Sequence, residues 1–176
     1  MIEVVLVDDK NNAIGTSEKI EAHRTGQRHR AISVMLFNNK GHILLQKRAK
    51  SKYHSGGLWA NACCSHPLPD EMAIDAAVRR ISEELGIECE LDYRFDRSYV
   101  ATVSQEMIEN EYVIFFSGNF NGTLKLNPDE VSECKWVASI EIDELMKAHK
   151  PTFTKWFQIY WAEHRELWET IARERR

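Results

Sequence analysis

The stretch CCSHPLPDEMAIDAAVRRISEELGI, residues 63–87, decides the fold of this chain. It begins with two cysteines and a histidine, passes through a loop bounded by prolines and continues as the pattern of an amphipathic helix. Gly86 is placed to end that helix in a left-handed turn. One stripe of the helix is apolar, at Ala73, Ala77, Ile81 and Leu85. Charged residues lie off that stripe, at Glu71, Asp75, Arg79, Arg80, Glu83 and Glu84. The pattern predicts a helix that packs by one face and presents carboxylates on another.

The same spacing resembles the Nudix box, G-x5-E-x7-R-E-U-x-E-E-x-G-U, in which U is a bulky apolar residue. Two positions depart from it, because Ser65 replaces a glycine and Arg80 replaces a glutamate. The resemblance implies an α/β/α sandwich and a helix that presents carboxylates to Mg²⁺ on a diphosphate, since Mg²⁺ is usually held by one or two carboxylates plus phosphates. With Arg80 in the cluster, we expect fewer metal ions there than in a diphosphate hydrolase. The positions in register are Glu71, Arg79, Ile81, Glu83, Glu84, Gly86 and Ile87.

The alternative interpretation is an ordinary amphipathic helix, stabilised by i,i+4 ion pairs such as Arg79–Glu83 and Arg80–Glu84. The rest of the chain decides between the two. Composition predicts a single globular domain over residues 1–176, with 43% hydrophobic and 28% charged residues. The net charge of −4 argues against a nucleic-acid partner.

Cysteine usage and apolar patterning bear on the compartment. Four cysteines without a CxxC pair do not form a zinc-finger framework, and they suit a reducing cytosol. We find neither a signal-peptide pattern in MIEVVLVDDKNN nor an apolar run of membrane-spanning length. The sequence therefore predicts a cytoplasmic protein with no membrane partner.

Apolar runs predict strands at residues 2–7, 31–37, 42–48, 59–63, 112–116 and 134–137. A hairpin is expected at residues 38–41 (NNKG), a polar loop at 49–58 and an extended arm at 88–103. We expect Ser139 to cap a helix over residues 140–149 that Pro151 ends. A last helix is predicted over residues 154–174, with one face carrying Trp156, Tyr160, Leu167 and Ile171. These elements predict an α/β (or α+β) fold in which helices pack against a mixed sheet.

Three histidines and two glutamates are candidate metal ligands. Glu109 and Glu111 lie two apart on a predicted strand, so their carboxylates should point to one face. Imidazole and carboxylate together suit a first-row divalent ion such as Zn²⁺ or Mn²⁺. Taken singly, each histidine could equally be a surface residue and the glutamates a solvated strand end. The histidines are His23, His29 and His66.

Four further segments occur in the order and spacing typical of type I isopentenyl-diphosphate isomerases: HRTGQRHRAIS, RAKSK, WANACCSHP and IENE. The chain resembles that family, a Nudix-fold branch that isomerises rather than hydrolyses, over about residues 2–160. The family also lacks the full Nudix box, so Ser65 and Arg80 favour this assignment. The resemblance implies a small prenyl diphosphate substrate, Mg²⁺ bound with the diphosphate and one tightly bound Mn²⁺ or Zn²⁺. It is also consistent with a monomer or weak homodimer.

The resemblance further implies residue roles. The tightly bound ion would be held by His23, His29, His66, Glu109 and Glu111. Mg²⁺ would be held by Glu84 with the backbone carbonyl of Cys64. The diphosphate would contact Lys19, Arg48, Lys52 and, more weakly, Arg79. Proton transfer would fall to Cys64, Glu111 and Tyr99, with Trp156 facing the cation.

These residue types suit a double-bond shift from the 3,4 to the 2,3 position. The reaction adds a proton to one carbon and removes one from another, so it needs positioned acid and base groups. An indole face can stabilise the tertiary carbocation between the two steps. Either Cys64 or Glu111 could act first, and Cys63 departs from the common motif. Two other functions remain open: a Nudix hydrolase of a nucleoside or prenyl diphosphate, and a non-catalytic diphosphate-binding module.

Overall fold

The computed structural model describes residues 2–175, and in that part of the chain one mixed sheet carries helices on both faces. The strands are β1 (Glu3–Val7), β2 (Ala13–Glu18), β3 (His29–Phe37), β4 (Ile43–Arg48), β5 (Trp59–Asn61), β6 (Cys63–Ser65), β7 (Leu91–Thr102), β8 (Ile108–Asn119) and β9 (Val131–Val137). The helices are α1 (Lys19–Thr25), α2 (Ala73–Leu85), α3 (Ser139–His149) and α4 (Lys155–Glu174), with a 3-10 turn at Lys150–Thr152.

Strand β3 is paired along both edges. One edge runs parallel to β8, from His29 opposite Glu111 to Phe37 opposite Asn119. The other edge meets three antiparallel partners in turn, β1, β6 and β4. All of its residues except Arg30 are buried, as expected for an apolar strand that is covered on both faces. β3 is therefore the central strand of the fold.

Side chains along β3 alternate between two hydrophobic cores. Val34 and Leu36 point into the core that α2 covers. Met35 and Phe37 point into the core that α3 and α4 cover. Because successive side chains of a strand point to opposite faces, one strand serves both cores. The predicted α/β/α sandwich with a mixed sheet is confirmed.

Helix α2 packs and ends as the sequence predicts. Ile81 and Leu85 are fully buried on its apolar stripe. Gly86 ends the helix with a φ of 64°, and its N–H donates to the Ser82 carbonyl. A Cβ at Gly86 would lie 2.7 Å from the Lys125 carbonyl oxygen. The turn therefore needs glycine both for its conformation and for the space beside it.

In helix α4, a different residue is buried from the one that was predicted. Leu167 is 37% exposed, whereas its neighbour Trp168 is fully buried in the core beneath α4. Both positions lie near the stripe that begins at Trp156 and Tyr160, and the larger indole takes the buried place because it removes more apolar area from water.

None of the helices within residues 2–175 is both long enough and apolar enough to cross a bilayer.

The predicted hairpin between β3 and β4 is confirmed at its turn, and its paired part is short. The two strands pair only where Phe37 faces Ile43. Residues 38–42 do form a tight turn, in which the Gly41 N–H donates to the Asn38 carbonyl. Beyond it, β4 diverges to pair with β5 and β9. The reason is competition, since β6 occupies the edge of β3 that the hairpin would use.

Other differences concern two elements that were not predicted and the limits of several that were. β2 and α1 were not predicted, and the expected strand at residues 59–63 is divided between β5 and β6. The extended arm at 88–103 contains β7, which pairs along β8. Ser139 is not the cap of α3, because the helix already begins there. Instead the Ala138 N–H donates to the Glu141 carboxylate over 3.0 Å.

The two neighbouring residues of α4 give a stability test. Trp168→Ala should lower the free energy of unfolding by about 3–5 kcal/mol, because it removes a buried indole and leaves a cavity. Leu167→Ala should cost less than about 1 kcal/mol, because that side chain is partly in water. Urea denaturation of both variants measures the difference. Equal losses would place Leu167 on the packed face after all.

Candidate active site and metal centre

The candidate site lies on the face of β3 that α4 covers. β3 sets His29 opposite Glu111 on β8 and Ser33 opposite Cys64 on β6. His29 and Ser33 are four residues apart, so both point to the same face. Trp156, from the first turn of α4, is buried in the core on that face. The strand pairing thus brings a carboxylate and a thiol from opposite sides of β3 towards one region.

Three imidazole rings cluster there. His23 comes from the last turn of α1, His29 begins β3 and His66 follows β6. Their ring centroids lie 4.6, 4.9 and 5.3 Å apart. The Glu111 carboxylate oxygen Oε1 lies 3.2 Å from His66 Nε2 and 3.7 Å from His29 Nε2. The structure brings these four predicted ligands together, with ligand atoms within 4.8 Å of one another.

The unused atoms of this cluster fit a metal ion. His23 Nδ1 lies 2.7 Å from the Lys19 carbonyl oxygen, and His29 Nδ1 lies 2.8 Å from that of Gln27. Each Nε2 is buried without a hydrogen-bond partner. A backbone carbonyl on one ring nitrogen and a free lone pair on the other is the usual arrangement of a metal-binding histidine. Burial lowers the pKa of His66 to about 3, so its imidazole is neutral and able to bind a cation.

Glu109 joins the site through Tyr99. The Tyr99 hydroxyl lies 2.6 Å from Glu111 Oε2 and 2.9 Å from Glu109 Oε2, so the two-residue spacing does place both carboxyls on one face. Burial and the negative charge of Glu111 raise the pKa of Glu109 well above its usual range. Burial also opposes ionisation of Glu111, but the adjacent imidazoles of His29 and His66 outweigh it and hold that pKa well below its usual range. The Tyr99 hydroxyl thus links the two carboxyl groups.

The two adjacent cysteines point to opposite faces of β6. Cys64 lies at the site, where its thiol donates to Asn61 Oδ1 over 3.2 Å and lies 3.4 Å from Ser33 Oγ. Cys63 is fully buried in the core beneath α2. Burial raises the pKa of Cys64 to about 12 and that of Cys63 well above its usual value. Both are thus thiols near neutral pH, and only Cys64 borders the site.

A cleft beside Cys64 and His66 gathers cationic side chains. Arg48 is 8% exposed, and its guanidinium lies 5.2 Å from the centre of the Trp156 ring. Burial and the positive charge of Lys52 are the leading causes that lower the pKa of Lys19. Such crowding of positive charge favours an anionic ligand. The basic residues that line the cleft are Lys19, Arg48, Lys52, Arg79 and Arg80.

Arg79 and Arg80 both line the cleft, but they differ in their partners. Arg79 makes two hydrogen bonds to Glu71, at 2.7 and 2.8 Å, just before α2. Arg80 pairs with Glu84 at 2.7 Å and with Glu130 at 3.2 Å. The sequence already indicated that Arg80 adds positive charge to this cluster and could pair with Glu84, and the structure shows that pair.

Glu84 is buried in the last turn of α2, where it accepts hydrogen bonds from Arg80 and from Gln46 Nε2. It lines the same cleft as Cys64, in agreement with the adjacency that the sequence implied. Lys52, on the other side, pairs with Glu130 at 2.5 Å. Two carboxylates therefore lie among the cationic side chains.

His54 and Tyr53 were missed, because the sequence offers only a polar loop at residues 49–58. His54 is 6% exposed, and its ring meets Trp156 edge-on with centroids 5.8 Å apart. The ammonium of Lys19 lies 4.6 Å from the centre of the Tyr53 ring. His54 also forms a second group of candidate metal ligands with His23 and Glu109. No local pattern in the loop distinguishes it from a solvated histidine.

Comparison with known proteins gives a consistent result. Residues 27–157 match the family model of the NUDIX domain. The chain is 42% identical to an "Isopentenyl-diphosphate Delta-isomerase" of Pectobacterium atrosepticum, over 99% of this chain and 97% of that one. It is 50% identical to "Isopentenyl-diphosphate Delta-isomerase 1" of Aromatoleum aromaticum, over 77% and 76% of the two chains.

Solved structures agree on the fold. A Nudix hydrolase of M. smegmatis superposes with a TM-score of 0.61 at 20% identity, covering 95% of both chains. A MutT protein of Methanosarcina mazei gives a TM-score of 0.61 at 22% identity, over 84% of this chain and 94% of that one. At these identities the likeness concerns the fold alone.

Proposed function

The chain belongs to the isopentenyl-diphosphate Delta-isomerases, a family that carries the NUDIX domain, and from that premise we propose how its residues interconvert isopentenyl diphosphate and dimethylallyl diphosphate in isoprenoid biosynthesis. The observation that carries the proposal is the adjacency of Cys64 and the Glu111 cluster to a cationic cleft. One part of the site offers proton-transferring groups, and the other offers charge for a diphosphate. A substrate with a short alkene and a diphosphate needs both.

The tightly bound ion is held by three imidazoles and two carboxyls. Support comes from the buried, unpartnered Nε2 atoms of His23 and His29 and from the contacts that His66 and Glu111 make with each other. A set of nitrogen and oxygen donors suits Mn²⁺ or Zn²⁺. When bound, the ion supplies fixed positive charge that orients the carboxylates and sets their acidity. The five ligands are His23, His29, His66, Glu109 and Glu111.

The diphosphate binds in the cationic cleft, with Mg²⁺ held by Glu84 and the backbone carbonyl of Cys64. Lys19, Arg48 and Lys52 supply positive charge on the side of α1 and the loop after β4, and Arg79 and Arg80 supply it on the side of α2. Arg80 would cancel negative charge that a hydrolase uses to hold further metal ions. The cleft therefore favours holding a diphosphate intact over cleaving it.

Cys64 and Glu111 carry out the proton transfers. They stand on β6 and β8, which lie on either side of β3, so an alkene between them can receive a proton from one side and lose one to the other. Tyr99 positions Glu111 through its 2.6 Å hydrogen bond. The Trp156 ring, buried in the same core, offers a π face to positive charge at the tertiary carbon. The packed aromatic side chains around it exclude water that would otherwise add to the cation.

The remaining features of the proposal concern the protein as a whole. Residues 1–176 act as one isomerase domain, in the cytoplasm, as a monomer or weak homodimer. The substrate is a small prenyl diphosphate, with no nucleic-acid or membrane partner. The net charge of −4 and the cysteines without CxxC spacing support these features.

The metal site predicts a defect in ion retention. His66→Ala should lose the tightly bound ion after mild chelator treatment. Removing one ligand, or a residue that supports it, lowers the affinity for a metal ion about ten- to a hundred-fold. His149→Ala, at an exposed histidine, is the matched control and should keep about one ion per chain. Elemental analysis measures both. Equal metal content in the two variants would contradict the proposed metal site.

The diphosphate site predicts a separate defect. Glu84→Gln should need about ten-fold more Mg²⁺ for half-maximal isomerisation while the tightly bound ion stays in place. Glu88→Gln, at an exposed glutamate just beyond α2, should behave as wild type. Titration of activity with Mg²⁺ compares them. If Glu84→Gln has the wild-type Mg²⁺ dependence, Glu84 serves only its ion pair with Arg80.

The proton-transfer pair predicts loss of turnover. Cys64→Ala and Glu111→Gln should each reduce the rate by on the order of a hundred- to ten-thousand-fold, because each removes a positioned acid or base. Cys63→Ala is the control, since that thiol faces the other core. In heavy water the wild type should incorporate deuterium into dimethylallyl diphosphate and release no phosphate. Phosphate release would indicate a hydrolase, and neither product would indicate a binding module.

A further inference from the structure

We propose that His54 is a sixth protein ligand of the tightly bound ion, contributed through Nε2 by the loop between β4 and β5. The inference rests on the metal site proposed above and adds to it a residue outside its five ligands. It concerns the buried face of residues 49–58, a loop that also carries Lys52 in the cationic cleft.

His54 has the same features as two of the proposed ligands. Its Nε2 is buried without a hydrogen-bond partner, as are those of His23 and His29. Its Nδ1 lies 3.2 Å from Ser55 Oγ, a hydroxyl that can accept from Nδ1–H and so leave the lone pair on Nε2. All three rings thus present a free lone pair into the interior.

The position of His54 relates it to the same ion. Its Nε2 lies 3.6 Å from Glu109 Oε1. Ligand atoms of His54, Glu109 and His23 lie within 4.8 Å of one another, and His23 also belongs to the group with His29, His66 and Glu111. Tyr99 joins the groups again, since its hydroxyl contacts one carboxyl from each.

One ion rather than two follows from the chemistry of His23. Its Nδ1 is engaged with the Lys19 carbonyl at 2.7 Å, so only Nε2 can bind a metal. A ring nitrogen has one lone pair and serves one ion. The two groups share His23, so an ion bound at its Nε2 lies next to both groups. Together they offer six donors, the number that octahedral ions such as Mn²⁺ take up.

A purely structural role for His54 explains less. The ring does pack edge-on against Tyr53 and Trp156, with centroids 4.4 and 5.8 Å apart. An aromatic residue without nitrogen could make those contacts. A buried nitrogen with no partner costs on the order of 1–3 kcal/mol, a cost that ligation of a cation removes. Ligation would also tie the loop that carries Lys52 to the metal, so that occupancy of the ion and of the anion cleft would be coupled.

The test uses metal affinity and a spectrum rather than turnover. Metal-free wild type, His54→Ala, His29→Ala and the exposed control His149→Ala are loaded with Co²⁺, and the dissociation constant is measured by competition with a chelator. His54→Ala should bind one ion about ten- to a hundred-fold more weakly, with an altered visible Co²⁺ absorption band. Added free imidazole should restore the wild-type band in His54→Ala, because it can occupy the vacated ligand position.

The outcomes separate this inference from the metal site on which it rests. If wild type and His149→Ala bind Co²⁺ tightly, His29→Ala binds weakly and His54→Ala matches wild type in affinity and spectrum, the His54 assignment is wrong and the five-ligand site stands. Weaker binding by His54→Ala with an unchanged band, not altered by imidazole, would make His54 a support for Glu109 and overturn direct ligation. If wild type itself takes up no ion, both proposals are wrong.

Discussion

The alternation of side chains along β3 is the constraint on which the rest of the structure depends. A strand that is paired on both edges and covered on both faces cannot shift by one residue without turning every side chain to the wrong core. Fixing β3 fixes His29 and Ser33 on the face beneath α4. Through pairing it also fixes Glu111 on one side and Cys64 on the other. The chemistry of the site thus depends on a register that the hydrophobic cores specify.

Burying so many polar groups beside an aromatic core is costly unless each is compensated. The site distributes this compensation over several kinds of contact. Backbone carbonyls engage one nitrogen of His23 and of His29, one hydroxyl spans Glu109 and Glu111, and two imidazoles face the Glu111 carboxylate. The groups without such a contact are the imidazole Nε2 atoms of His23 and His29, whose lone pairs converge on one small region. The adjoining cleft shows the opposite imbalance, an excess of cationic groups over the carboxylates of Glu84 and Glu130. The lone pairs of the cluster favour a bound cation, and the cationic cleft beside it favours a bound anion.

The sequence predicted elements best where one local pattern sufficed. The stripe and glycine of α2, the strand at residues 112–116 and the shared face of Glu109 and Glu111 all follow from periodicity or spacing. Prediction from sequence failed where contacts between residues distant in the chain determine strand pairing or side-chain burial. β6 limits the pairing of β4 with β3 to one end, and Trp168 took the buried place expected for Leu167. The five proposed metal ligands were candidates by residue type and spacing, and the family resemblance joined them into one site. His54 was missed because its position depends on the course of one loop, which no short motif records.

Helix α4 determines how a substrate reaches the interior. Its first turn covers the site with Trp156, and its last turns are anchored by Trp168 and Ile171. Its beginning is joined to β5 by the Thr154 N–H, which donates to the Trp59 carbonyl over 2.9 Å. Lifting this cover would expose several aromatic side chains, at about 1.5–3 kcal/mol each. The entry path therefore runs through the polar mouth between α2 and the loop after β4. A prenyl diphosphate would pass tail first, and its charged head would close the opening behind it.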